Sequence, residues 1–594
     1  MSEEKKYAVL IKILDNLCDE APKEYQTYHQ RDTEEEITTA RSKAFIHLLL
    51  KVRFGILNFL DREKVITDGT QDGGIDAYYI DKPNKIVYFI QSKFRNNAQI
   101  FEDKNMSTDD LLKMEIKNII IGKGVDSRGN PFNSKIEKFL QEYSSLEHHA
   151  AYGYKVIFLG NLHNYSDQQM KKLTDDFDYE VYNFERTYQE LVYSLCSGLH
   201  YRPEDIFITL NLHNKSHPIL EQGINTQEGE LDIRITFVPV REIGRVMSQY
   251  KNALLQYNPR NYLTLSNNSV NQKIAESILQ QKNNNFSILN NGLTIFSKQF
   301  KFSGGTGKEG RGQILITNPQ IINGGQTAYT LGEIYEKYKD NPDEDPFKEK
   351  EVLIKVIAAD NFEELNPKFI NNISNATNQQ TRVDEADRRA NEEIQIKLQK
   401  LLFDNFGYYY ERKKGEFHHG VSMEYISKDT IINRENLLRS YYSSKGFPSS
   451  ARSSASDTLF SISKFNEILN STDDFKKMFF YYLAHKSLLR LSKEEWGSGV
   501  RYGKYAIVYA LSLMCDPNKF KEEEFEIKVK ENLNKIKKLW KIFEDEVRVK
   551  EENKDYSDKE GGFDFDSYYK GKTLASDIKE FFGNKEAIEA ILKN

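Results

Sequence analysis

Cysteine is nearly absent: 594 residues hold three, Cys18, Cys196 and Cys515, all far apart. No CxxC pair exists, which excludes a zinc ribbon or a disulfide framework as the organising element. No apolar run approaches the ~20 residues that cross a bilayer, so the chain reads as a non-membrane protein. The first residues, MSEEKKYAVLIKILDN, lack an apolar leader block, and the expected location is cytoplasmic. Charge of one sign is also lacking. The net charge of −6 gives no basic footprint over the whole chain, so any nucleic-acid contact must be local. What is present is aromatic: 36 Phe and 35 Tyr are enough to fill several cores, and the length calls for about three to five domains.

The pattern along the chain predicts a multidomain α/β protein. A helix begins at Thr33, where Asp32 and Thr33 precede Glu34, Glu35 and Glu36, and carries an apolar stripe of Ile37, Ala40, Ala44 and Leu48. Two β patterns follow, Gly74–Ile80 and Ile86–Phe94, joined by a turn-like Asp81-Lys82-Pro83-Asn84-Lys85. Further helices and strands (Lys155–Leu159, Tyr179–Phe184) complete an N-terminal domain over 1–205. A mixed core is expected over 206–442, with strands at Leu231–Val238, Ile314–Thr317 and Val352–Ala359. A mostly helical region is expected over 443–594, after a Ser-rich linker at Ser443–Asp457.

The densest chemistry lies in DGTQDGGIDAYYI…IVYFIQSKF. Alternate strand residues share a face, so Gln91 and Lys93 point together while Ser92 points away. A register that brings Asp76 to Gln91 gathers carboxylate, amide and ammonium. That set suits phosphodiester hydrolysis with Mg²⁺ (or Mn²⁺): oxygen ligands hold the metal and a lysine acts on the attacking water. The acidic helix start is the natural source of a second carboxylate. The simplest hairpin, Ile80 opposite Ile86, puts Asp76 on the wrong face, so a longer turn or a bulge is expected.

Asp72-Gly73-Gly74-Ile75-Asp76 with Gln91-Ser92-Lys93 resembles the PD-(D/E)xK restriction-endonuclease-like superfamily, in its Mrr-like branch. The resemblance covers about residues 30–190. It implies a restriction-endonuclease-like α/β domain, metal ligands Asp76, Gln91 and one of Glu34, Glu35 or Glu36 (Glu36 taken as the match), a catalytic Lys93, and DNA ahead of RNA as substrate.

A second group of segments lies further on: NNGLT at Asn290, Asn291 and Gly292, NPQIINGGQT with Asn323, Gly324, Gly325, Gln326 and Thr327, and Asn375–Gln380. Together they resemble the AIPR, or abortive infection phage resistance, family, with Arg260 as a looser match to an Asn-x-Arg motif. Glycines there permit close backbone approach, and the Gly-Gly turn before a helix offers an anion site at exposed N–H groups. Asn290, Asn291 and Gly292 read equally as a buried buttress, while Asn323 to Thr327 read first as a ligand or nucleic-acid contact. The resemblance implies an antiphage protein whose AIPR module controls a nuclease. The alternative is a non-catalytic nucleic-acid or nucleotide-binding regulator. A phage-derived or nucleotide trigger and a homodimer are left open as partners.

Other signals point elsewhere. Gly304–Lys308 has a phosphate-loop look but lacks the Ser or Thr after lysine. His148-His149 and His418-His419 read as surface pairs. Tyr408–Tyr410 followed by Arg412, Lys413 and Lys414 reads either as a base-stacking basic strip or as a strand edge.

Overall fold

The computed structural model describes residues 2–593 apart from 83, 108–110, 112–113, 164, 175, 201–205, 214–217, 260–268, 281–282, 305–311, 342–343, 360–364, 366, 379–383, 491–495, 497–500 and 558–561. Arg260, Gln379, Gln380 and most of the Gly304–Lys308 stretch lie outside the described residues. The chain divides into two compact units, one of residues 3–377 with 415–426, the other of 378–414 with 427–594. The division falls within the expected 206–442 core. Among the described residues no helix is long and apolar enough to cross a membrane.

The first unit is mixed α/β. Its N-terminal sheet runs β1 (Ala77–Asp81), β2 (Ile86–Ser92), β3 (Gly153–Leu159), β4 (Asp178–Tyr182), in that spatial order. β1 is antiparallel to β2, while β2, β3 and β4 are parallel. Tyr78, Ile80, Val87 and Phe89 face one core, with Ile119, Phe139 and Met170 from the covering helices. On the other face Phe54, at the end of the helix Glu34–Arg53, stacks on Tyr79 at 4.2 Å.

The hairpin corrects the expected turn. Ile80 pairs with Val87 and Asp81 with Ile86, leaving a four-residue connection, 82–85, shorter than supposed. This one-residue change is enough to carry the alternation Ile80, Tyr78, Asp76 onto the same side as Val87, Phe89, Gln91.

Beyond it lie two further sheets. One has three strands, β5 (Phe207–Asn211), β10 (Gln313–Thr317) and β9 (Gln299–Ser303). The other has five, ordered β11 (Gln320–Asn323), β8 (Leu293–Ser297), β12 (Glu351–Ala358), β7 (Gly229–Pro239), β6 (Leu220–Thr226). Helices Val240–Tyr250 and Gly325–Tyr338 pack on this region around Val240, Met247, Ala328 and Leu331.

The second unit is mostly helical. Ser443–Asp457 is not a linker: helices Arg434–Ser444 and Pro448–Ser453 occupy most of it. Pro448 sits in a first helical turn, where its missing N–H costs nothing, and Ser443 Oγ donates to the Tyr505 carbonyl at 2.6 Å. Serine marks packed helix ends here, not chain slack. The Lys/Glu-rich helix Phe525–Val549 buries one face, with Val529, Ile536, Trp540 and Phe543 in the core, and is solvated only on the other. Tyr408, Tyr409 and Tyr410 are all buried, so their rings fill the core and are closed to stacking bases. In the first unit His419 is not a surface histidine. It is packed 6.2 Å from the His200 ring, and burial lowers its pKa to about 4.

Candidate metal centre

Asp76 stands just before β1, and its backbone is held from two sides. Its N–H donates to the Ile90 carbonyl (2.9 Å), while its own carbonyl accepts from Thr67 N–H (2.9 Å) and Asp68 N–H (3.0 Å). The residues 67–68 are thereby folded back against the start of β1. Asp72 shapes the following turn, accepting from Gly74 N–H at 2.8 Å and Gly69 N–H at 3.1 Å. Gly73 makes the turn possible: its φ is +66°, and a Cβ would lie 2.9 Å from both Ile119 and Phe132. The result is a convergence of three carboxylates, Asp68, Asp72 and Asp76, with ligand oxygens within 4.8 Å of one another.

Around Mg²⁺ at ~2.1 Å, neighbouring ligand oxygens lie about 3 Å apart and opposite ones about 4.2 Å apart, so modest side-chain closure would make this donor set fit a hard divalent cation. The electrostatics agree. Desolvation chiefly, then repulsion from Asp68 and Asp72, raises the Asp76 pKa to about 8, against the Ser92 N–H bond (2.6 Å) and Lys93. Desolvation also raises the Asp72 pKa. A divalent charge would relieve that strain. Lys43 of the Glu34–Arg53 helix pairs with Asp68 at 3.1 Å.

Gln91 is buried at the end of β2, and Lys93 follows the strand, its N–H donating to the Leu159 carbonyl at 2.9 Å. Glu36 is held elsewhere. It forms a capping box with Thr33, accepting from Thr33 N–H at 3.0 Å, and is not among the converging carboxylates. The reason is helix geometry: Lys43 is seven residues on, the same face but about 10 Å further along the axis. Glu34 and Glu35 are exposed in the same first turn. Sequence reasoning gave Asp68 and Asp72 no ligand role. Their signal was the four-residue spacing 68, 72, 76, which a tight turn folds into one cluster.

The raised Asp76 pKa has a measurable sign. The folded state keeps a proton that the unfolded chain releases near pH 4, so this group lowers metal-free stability as pH rises from about 4 to about 8. Asp76→Asn should therefore melt close to wild type at pH 4 in EDTA and progressively above it towards pH 8. An unchanged difference across that range would show that the carboxyl is not desolvated.

The second group of sequence signals forms a scaffold. Asn290 Nδ2 donates to Thr327 Oγ1 (3.1 Å), and its Oδ1 accepts from Gly292 N–H (3.0 Å). Asn323 Nδ2 donates to the Thr377 carbonyl (2.8 Å), and its Oδ1 accepts from Gly324 N–H (2.7 Å). Gly292 and Gly324 have φ of +78° and +84°, and a Cβ on Gly324 would lie 2.7 Å from the Gly292 carbonyl oxygen. Gly325 opens the helix Gly325–Tyr338 against Asn258. Asn291 is exposed and Gln326 half-buried. The two motifs thus hold each other across β8 and β11, and Asn291 is the motif side chain most open to solvent.

Fold and motifs together define a mixed α/β protein with an acidic cluster at one end of its N-terminal sheet and a glycine-locked sheet region beyond it. A model of the AIPR protein family matches residues 255–554, half of the chain. The chain belongs to the AIPR family, and membership supports an antiphage role in abortive infection. Comparison with curated proteins and with solved structures gave no match.

Proposed function

We propose that this AIPR protein is a metal-dependent nuclease hydrolysing nucleic-acid phosphodiester bonds in an abortive-infection response, under the control of its AIPR region. The observation that carries the reading is the convergence of Asp68, Asp72 and Asp76 beside Lys93 at the end of a mixed sheet. A helix, an antiparallel hairpin and then parallel strands make an α/β domain, the coarse class that the PD-(D/E)xK resemblance implies.

Asp76 and Asp72, with Asp68, would hold Mg²⁺ or Mn²⁺, and Gln91 offers a neutral carbonyl beside them. When bound, the metal lowers the pKa of a coordinated water and offsets charge on the phosphoryl oxygens. Lys93 stabilises the developing negative charge on the phosphate and orients the attacking water. Lys43 holds Asp68 in place until the ligand set closes. The strained Asp76 carboxylate is made ready for a cation by its burial and its like-charged neighbours.

The test is a titration of the full chain with Mg²⁺ and Mn²⁺ against duplex DNA, single-stranded DNA and RNA. Metal-dependent cleavage that Asp76→Asn removes is the expected result. Binding without cleavage under every metal condition would replace this reading with the non-catalytic regulator.

A further inference from the structure

Because β1 is antiparallel to β2, and β2, β3 and β4 are parallel, the start of β1 and the carboxyl ends of β2, β3 and β4 lie at one end of the sheet. Chemistry-bearing side chains line that end in order. Next to the start of β1 is the beginning of the helix Ser134–Ser144, tied to it by Asn133 Nδ2 donating to the Thr67 carbonyl at 3.1 Å. Its Lys135 interacts electrostatically with Glu63 first, then with Lys43, Asp68 and Lys138. Then come the aspartate cluster and Lys93.

Past Lys93 a crevice opens at the ends of β2, β3 and β4. Its wall includes Lys93, Arg95, Lys104, Gly160 and Phe184. Asn161, almost fully buried at the end of β3, donates to the Phe101 and Glu102 carbonyls at 2.7 and 2.9 Å. That anchors the helix Ala98–Asp103 and presents Lys104, which directly follows it, at the crevice. Some cations of this domain are matched with carboxylates, as in Lys51–Glu20, Arg53–Glu180 and Arg186–Glu190, and others, such as Lys85, Lys155 and Lys172, have no ion pair among the described residues. Among the described residues Arg95, Lys104, Lys135 and Lys138 have no such ion pair. In a chain of net charge −6, Lys135 and Lys138 on one side of the acidic cluster and Arg95 and Lys104 on the other form a local cationic arrangement along one end of the sheet.

We infer that a nucleic-acid phosphate backbone crosses this end of the sheet, held by Lys135 and Lys138 on one side of the aspartates and by Arg95 and Lys104 on the other. The inference rests on the nuclease reading of the same site and names the residues that seat its substrate. Four strands at ~4.8 Å spacing give a span of about 14 Å, enough for several nucleotides. Lysine and arginine there neutralise phosphates without reading bases, so the track recognises the backbone and not a sequence. These are positioning residues: none needs to touch the reacting atoms.

The experiment uses the full chain in EDTA, where no cleavage occurs, and measures anisotropy of labelled duplex DNA, single-stranded DNA and RNA across a salt series. Arg95→Glu with Lys104→Glu, and separately Lys135→Glu with Lys138→Glu, should each weaken binding at least tenfold. Each should also make the slope of log affinity against log salt shallower by about 1.8 for duplex DNA. Lys82→Glu with Lys85→Glu is the control: the same charge change in the exposed β1–β2 connection, at the opposite end of the sheet. Its binding should match wild type. Equal losses in all three double variants, or none in the first two, would overturn the track, and melting curves confirm that each variant is folded. The favoured nucleic acid is read from the three probes. A wild type that binds with this pattern but never cuts keeps the track and loses the nuclease. One that cuts while both test variants bind normally keeps the nuclease and loses the track.

Discussion

Lys93→Ala should reduce metal-dependent cleavage by about 10²–10⁴-fold while leaving the fold intact. Lys93 lies beyond the last residue of β2 and is only half-buried, so its truncation removes little packing. Its main-chain bond to Leu159 is independent of the side chain and survives. The effect should fall on turnover more than on nucleic-acid affinity, because the ammonium serves charge that grows as the phosphodiester breaks. Lys93→Arg should recover part of the rate, since it restores the charge but not the ammonium geometry. The measurement is single-turnover cleavage at saturating enzyme, with the melting temperature as control. Unchanged cleavage by folded Lys93→Ala would leave the Gln91–Lys93 pair without a catalytic role.

Gly292→Val should have the second large effect, on stability. Gly292 has φ +78°, and a Cβ there would sit 2.5 Å from the Leu353 carbonyl oxygen, a main-chain atom of β12 that cannot swing away. Left-handed strain costs about 1–3 kcal/mol for a non-glycine residue, and forcing atoms into a packed contact costs about 1–3 more. Together these rival a good part of the ~5–15 kcal/mol that holds a domain folded. The prediction is a chain that melts many degrees lower or fails to accumulate. Asn291→Ala, one residue away at an exposed side chain, should melt like wild type. If Asn291→Ala also abolishes phage protection in a folded protein, the turn meets a ligand as well as bracing the sheet. If Gly292→Val melts normally, the interlock of the two Asn-Gly motifs is not what holds this sheet.

Much of the domain was readable from residue pattern alone. The β-branched and aromatic run Ile86–Phe94 announced the second strand of a hairpin, and β2 is indeed Ile86–Ser92; that it is also paired on its other side to β3 is a tertiary outcome. Thr33 with Glu36 announced a helix start, and the capping box is there. That same capping bond is why Glu36 was misread as a candidate ligand: the sequence shows a carboxylate near a site, but not that a helix's own N–H groups claim it. Likewise, Tyr408–Tyr410 beside basic residues left open a base-stacking strip or a strand edge; Tyr409–Glu411 is a strand, and its burial against the helical core is a property of neighbours far along the chain.

The sequence by itself determined the residue types of the site, the mixed α/β character, and the two families of motif, because these depend on local periodicity and on backbone freedom at Asn-Gly and Gly-Gly steps. Tertiary structure decided which carboxylates meet. Asp68 and Asp72 join Asp76 because the Thr67 and Asp68 N–H groups close on the Asp76 carbonyl and because Gly73 turns under Ile119 and Phe132. It also decided the face that Asp76 presents, through one residue of hairpin register, and the row of cations along one end of the sheet. The carboxylate cluster closes over eight or nine positions, but the Gly73 contacts with Ile119 and Phe132 and the row of cations join residues tens of positions apart, whose free energies no local pattern encodes.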